Sequence, residues 1–161
     1  MKKLILFLLF LSSTYGFSQN LNLIKKEVEK INNSKNLKIK TVPNDYFVDV
    51  KNEVTDNGQE LQGFYKNGEL KKMVHEVILS SQKIIFEYYF QNKKLIFVKM
   101  KRFQIVDENG FLDKIILDFE GDFFFYNQKM IKRIIKGDVK EETFDYIKIS
   151  NELKKNLKNY K

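Results

Sequence analysis

Residues 83–126 read KIIFEYYFQNKKLIFVKMKRFQIVDENGFLDKIILDFEGDFFFY, and the alternation inside them decides the fold. From Ile115 to Phe125 the odd positions Ile115, Leu117, Phe119, Phe123 and Phe125 are apolar, with Gly121 the interruption. A period of two sends successive side chains to opposite faces of a strand, so this stretch reads as one long strand bent at Gly121. Asn92-Lys93-Lys94-Leu95 and Asn109-Gly110-Phe111-Leu112 break the alternation. Asparagine tolerates the left-handed backbone of a tight hairpin, and glycine tolerates it more readily.

A two-residue turn at Asn109-Gly110 sets Lys101 opposite Asp118 and Lys99 opposite Glu120, while Val98 and Met100 meet Gly121 and Phe119. One face then carries ion pairs and the other is apolar, whereas a slip of one residue would mix the two. At Asn92 a three-residue loop is expected. It sets Glu87 opposite Lys99 and aligns Phe86, Tyr88 and Phe90 with Met100, Val98 and Ile96.

Outward from this segment the same spacing recurs at Asn67-Gly68-Glu69-Leu70 and Asn127-Gln128-Lys129-Met130. With a break at Ser80-Ser81, these turns divide Gln59 to Gly137 into an antiparallel meander of about six strands. Asp56-Asn57-Gly58 marks the turn before it. Further upstream, residues 36–42 alternate as a strand, Pro43-Asn44 breaks the run, and a second strand is expected near Tyr46 to Val50. At the ends the period changes to that of a helix. Ile24, Val28 and Ile31 share one side of residues 21–33. Tyr146, Ile149, Leu153, Leu157 and Tyr160 form a stripe, with Asp145 as N-cap and Phe144 and Ile149 as an apolar staple around it. The expected class is α+β: an N-terminal helix, a curved antiparallel β-meander of about six to eight strands, and a C-terminal amphipathic helix.

The first residues have the three parts of a secretory leader: Lys2 and Lys3, the apolar run Leu4 to Leu11, and a short polar stretch. That run is too short to span a bilayer core of about 30 Å, which takes about 20 residues as a helix. Gly16 and Ser18 flank Phe17 as a small-x-small site, so residues 1–18 are expected to be removed and 19–161 to form one domain, with cleavage after Gly16 the alternative. No transmembrane helix is expected in the mature chain, and its location is exported, periplasmic or secreted. The chain has no cysteine, which excludes disulfides and a lipid-modified cysteine. Its net charge of +8 comes from lysine with two arginines, Arg102 and Arg133, so the bidentate guanidinium groups that read nucleic acid are scarce and nucleic acid is not an expected partner.

His75 is the single histidine, and a hairpin at Asn67-Gly68 sets it opposite Glu60. A base held by a carboxylate is half of a catalytic arrangement, yet the local pairing brings no serine or cysteine beside it. His75 and Glu60 are thus the acid and base of the chain if it is an enzyme, and an ordinary cross-strand pair otherwise. Asp118, Glu120 and Asp122 on one strand face could ligate calcium, but Lys99 and Lys101 neutralise them, so no metal and no cofactor is expected. Tyr89, Phe124 and Tyr126 point away from the inner core and need cover, from the chain's own helices or from a ligand or partner.

The segment Tyr65-Lys66-Asn67-Gly68-Glu69-Leu70-Lys71-Lys72, echoed by residues 89–95, resembles the hairpin units of MORN-type repeats and of small exported bacterial proteins built on similar strands. The resemblance covers roughly residues 59–98. It implies an envelope or secreted interaction protein and carries over no catalytic residue.

The expected function is a non-catalytic exported module that binds an envelope protein or an apolar small molecule such as a lipid. The alternatives are a hydrolase of envelope polymers acting through carboxylates and an inhibitor of a foreign hydrolase. The hydrolase needs acids that converge away from lysines, and the inhibitor needs a protruding loop, which does not stand out in the sequence. Contact of the lysine face of residues 148–161 with anionic lipid is a less economical account than a terminal helix packed on the sheet.

Overall fold

A computed structural model describes residues 20–107, 110–137 and 144–161. The expected leader and its cleavage site lie outside them, as does Asn109 of the expected Asn109-Gly110 turn, whose Gly110 is instead the first residue of a strand and pairs with Asp107. The chain divides into two compact units at Ser34 and Lys35. In the first, helix α1 covers residues 20–32. Ile24 and Ile31, two turns apart on one side, are buried, while Lys25, Lys26, Glu29 and Lys30 are exposed. Its last turn is closed by Ser34 Oγ, which donates to the Lys30 carbonyl at 2.8 Å.

The second unit runs β1 (Lys38–Val42), α2 (Asn44–Asp49), β2 (Gln59–Lys66), β3 (Glu69–Ile78), β4 (Gln82–Gln91), β5 (Lys94–Asp107), β6 (Gly110–Tyr126), β7 (Lys129–Gly137) and α3 (Tyr146–Asn159). The seven strands form one sheet in chain order, each antiparallel to the next. The expected α+β meander between two terminal helices is the observed architecture.

One hairpin geometry is used three times. Asn67-Gly68, Asn92-Lys93 and Asn127-Gln128 all have positive φ at both positions, the backbone of a two-residue turn whose twist matches the strands. In each case two residue pairs follow, and then the returning strand holds one unpaired residue: Lys71, Ile96 and Ile131. Such a bulge moves the register by one residue. It accounts for two departures from expectation. The Asn92 loop has two residues, not three, so Phe90 faces Leu95 instead of Ile96, while Glu87 faces Lys99 as expected. In the Asn67 hairpin the bulge puts His75 opposite Leu61 and Glu60 opposite Glu76, not His75 opposite Glu60.

Between β5 and β6 the ladder slips near Ile105 and again at Asp118. The result is Lys99 opposite Asp122 and Lys101 opposite Glu120, two residues from the expected register. An even displacement keeps each side chain on its own face, so Val98 and Met100 still meet apolar or glycine positions, Phe123 and Gly121. The irregularity expected at Gly121 falls at Asp118 instead. A Cβ at Gly121 would lie 2.7 Å from the Phe123 ring and 3.1 Å from the Phe119 ring, so this glycine lets two aromatic side chains flank it.

The strand expected at Tyr46 to Val50 is a helix. Pro43, at φ −78° and ψ 168°, holds the extended geometry that precedes a first helical turn, and Val50 N–H bonds the Tyr46 carbonyl as in an α-helix. Phe47 alone of α2 is fully buried, a pattern one helical turn satisfies and an alternating strand does not.

α3 closes the core face. Asp145 caps it by accepting from Lys148 N–H at 3.0 Å, and Tyr146, Leu153 and Leu157 bury themselves with Leu61, Met73, Tyr88, Val98, Phe123 and Phe125 of the sheet. Phe144 and Ile149, the expected staple, both pack against this core. The opposite face carries Lys72 with Glu87 at 2.7 Å, Lys99 with Glu120 at 2.9 Å and with Asp122 at 3.4 Å.

Candidate functional site

Three groups of side chains bear on function, and the structure places them on separate parts of the sheet. The first is the aromatic set. Tyr89 and Phe124 flank Phe97, with ring centroids at 5.5 and 5.0 Å. Tyr89 is 1% and Phe124 2% exposed, whereas Tyr126 is 48% exposed. Of these three expected surface residues, Tyr126 is the one that meets solvent. Tyr89 is held in place by a polar bond at its tip: its hydroxyl donates to Glu87 Oε2 at 2.5 Å, and Lys72 reaches the same oxygen while lying 5.0 Å from the Tyr89 ring centroid. Burial alone would raise the Glu87 carboxyl, but the hydrogen bonds from Lys72 and Tyr89 and the charges of Lys72 and Lys101 outweigh it and leave the group below its ordinary range.

The second group surrounds His75. The imidazole packs between the rings of Phe47 and Phe86, at centroid distances of 6.0 and 6.4 Å. Burial pushes its pKa down to about 4, so the ring is neutral near neutral pH. Its Nε2 lies 2.9 Å from Gln59 Oε1, and since an amide oxygen only accepts, Nε2 carries the proton. Gln59 is buried and fixed twice more: its side-chain amide donates to the Glu53 carbonyl at 3.4 Å, and its backbone N–H donates to Asn44 Oδ1 at 3.0 Å. Gln59 thereby holds the place that the sequence reading gave to Glu60. An uncharged amide orients the imidazole but does not raise its basicity as a carboxylate would. Beside Gln59 opens a cavity of about 540 Å³ between α2, the 54–58 loop and the ends of β2 and β3, with Pro43, Val48, Val54 and Ile78 among its apolar walls and Glu60 and Glu76 at its acidic side.

Four acids of β4 and β6 are each engaged by a base. Glu87 pairs with Lys72, Glu120 and Asp122 with Lys99, and Asp118 with the Arg102 Nε at 3.1 Å. The hydrogen bond from Lys99 leads the causes that hold Glu120 below the ordinary carboxylate range. General-acid work asks for the reverse displacement. Among the described residues no group of three or more histidine, aspartate and glutamate side chains is placed to hold a metal ion, and no helix is long and apolar enough to cross a membrane.

The third group was not singled out in the sequence. β5 and β6 are 14 and 17 residues long, and both outrun their neighbours: β4 begins with Gln82 at Gln104, and β7 ends with Gly137 at Phe119. Past those points the two strands form a projecting arm, tied to the β4 side by a bond from Ile105 N–H to the Ser81 carbonyl. On β6 past the end of β7, Ile115, Ile116 and Leu117 are 47%, 52% and 47% exposed, Ile116 and Leu117 at the base of the arm opposite Gln104 and Phe103 and Ile115 beyond them. Three aliphatics in succession place apolar groups on both faces of a strand, and that run was the available signal. No family model, curated protein or solved structure matches this chain.

Proposed function

We propose that this chain is an exported, non-catalytic binding module, periplasmic or secreted, whose contact surface is the β5–β6 arm. The observation that carries the reading is the run Ile115-Ile116-Leu117, half exposed on β6 beyond the end of β7, at the base of a hairpin that reaches past the rest of the sheet. An apolar cluster of that kind loses free energy to water until a partner covers it. Two further features support a binding role over hydrolysis: Glu87, Asp118, Glu120 and Asp122 are each paired with lysine or arginine, and His75 is oriented by the amide of Gln59, not by Glu60.

The test has two parts. N-terminal sequencing of the protein recovered from the culture medium or periplasm should find a chain starting at Gln19, or at Phe17 if cleavage follows Gly16. Protein that retains Met1 and stays in the cytoplasm overturns the export reading. Affinity capture with the mature protein and with the triple variant I115S/I116S/L117S, which removes exposed groups and should keep the wild-type melting temperature, isolates the arm. A partner held by the wild type and lost from the variant supports the reading. Identical captures by both proteins overturn it.

A further inference from the structure

We infer that the outer edge of β7 is a site for strand addition by an acidic, extended peptide segment of another protein. This surface is separate from the arm, and the inference does not depend on the arm's role. Among the described residues β7 is the last strand of the sheet and pairs on one side alone, with β6. Its nine residues, KMIKRIIKG, leave a row of outward backbone donors and acceptors roughly 30 Å long. β1, at the other edge, has five residues, and α3 lies against it with the Tyr160 carbonyl accepting from Lys40 Nζ.

What β7 would accept follows from its side chains. Lys129, Lys132, Arg133 and Lys136 are exposed, and the strand contains no acid. Across the ladder Lys132 faces Phe124 and Arg133 faces Phe123, and among the described residues neither has an acidic partner. Lys136 is 3.9 Å from Glu120 with its side chain 77% exposed, so its charge is open to a second partner. Ile134, between Lys132 and Lys136 on the same face, is an exposed large hydrophobic group.

An antiparallel strand laid along this edge would therefore place acids opposite Lys136, Arg133 and Lys132 and apolar residues opposite Ile135 and Ile134. That order is acid, apolar, apolar, acid, acid along the incoming chain. A second copy of this chain is disfavoured at the same edge, because antiparallel pairing of two β7 strands sets lysines and arginine against one another. A polyanion could use the charges, but it would leave the backbone row and Ile134 unused.

The probe is a fluorescently labelled, end-blocked peptide, Thr-Glu-Val-Val-Glu-Glu-Thr, titrated against the full mature protein by anisotropy. Controls are the same peptide N-methylated at alternate amides and a heparin fragment. The expected results are saturable binding, a loss of at least about tenfold in affinity for the K132E/K136E variant, a similar loss on N-methylation of the edge-facing amides, and slowed hydrogen exchange at alternate amides of residues 129–137. Both substitutions are at exposed positions, so an unchanged melting temperature shows that the variant is folded. The inference is overturned if the peptide does not bind, if the N-methylated peptide and heparin bind as well as the parent, or if the exchange protection appears instead on self-association of the protein.

Discussion

Acid should weaken this fold in a window set by His75, before its carboxylates begin to protonate. In the unfolded chain the imidazole titrates near 6.5, and between the Phe47 and Phe86 rings it titrates near 4. Between those values the unfolded state binds a proton that the native state refuses. Stability from this group is thus complete above the unfolded value and falls as pH drops toward the folded one. Going from about pH 7 to about pH 5, the two titrations amount to at most about 2 kcal/mol, the upper figure because the residue keeps partial access to solvent. For a urea slope of about 1–3 kcal/mol/M, the midpoint should fall by about 1 M. Glu87 and Glu120, held below their ordinary range, contribute losses at lower pH, below about 4.5. The assay is urea unfolding at closely spaced pH values for the wild type and for H75Q, which keeps a donor toward Gln59 and removes the titration. H75Q should be less stable near pH 7 but nearly flat between the two values. A wild-type stability that does not change across this window, or an H75Q variant that keeps the wild-type slope, refutes the placement of a neutral His75 between Phe47 and Phe86.

Two further outcomes follow from the docking of α3. A Cβ at Gly63 would lie 2.8 and 2.9 Å from the two terminal carbons of Leu157, so G63A should cost about 1–3 kcal/mol by overpacking, L157A about 2–5 kcal/mol by leaving a cavity, and the double variant less than their sum in denaturant unfolding. Removing the carboxylate that accepts from Lys148 N–H, in D145A, should cost about 1 kcal/mol in a thermal melt, and D145N should recover most of it.

Face assignment was legible in the sequence because alternation survives any even displacement: Lys99 and Lys101 meet Asp122 and Glu120 instead of the expected acids, yet Val98 and Met100 stay with the core. Turn sites were legible because asparagine marks the left-handed backbone at 67, 92 and 127. The bulges at Lys71, Ile96 and Ile131 were not, since the unpaired residue has no chemical signature: a lysine fills it once and an isoleucine twice. That one-residue offset is why Gln59, not Glu60, shares the core side with His75. α2 was read as a strand because Tyr46, Val48 and Val50 imitate alternation, whereas the Pro43 geometry and the one-sided burial of Phe47 decide for a helix. The arm escaped notice because strand length alone does not reveal that β4 and β7 stop short of it.

The chain-order sheet also shapes how the molecule would assemble. Each strand finds its partner in the segment just made, so loop closure is inexpensive at every step and successive hairpins can add without waiting for distant sequence. α3 is the exception, since it travels back from the end of the chain to β1 and β2. The core side of this ribbon of hairpins is covered when that last helix arrives, and a nascent chain halted before Tyr146 would present Leu61, Met73 and Val98 to water with nothing to quench their tendency to aggregate.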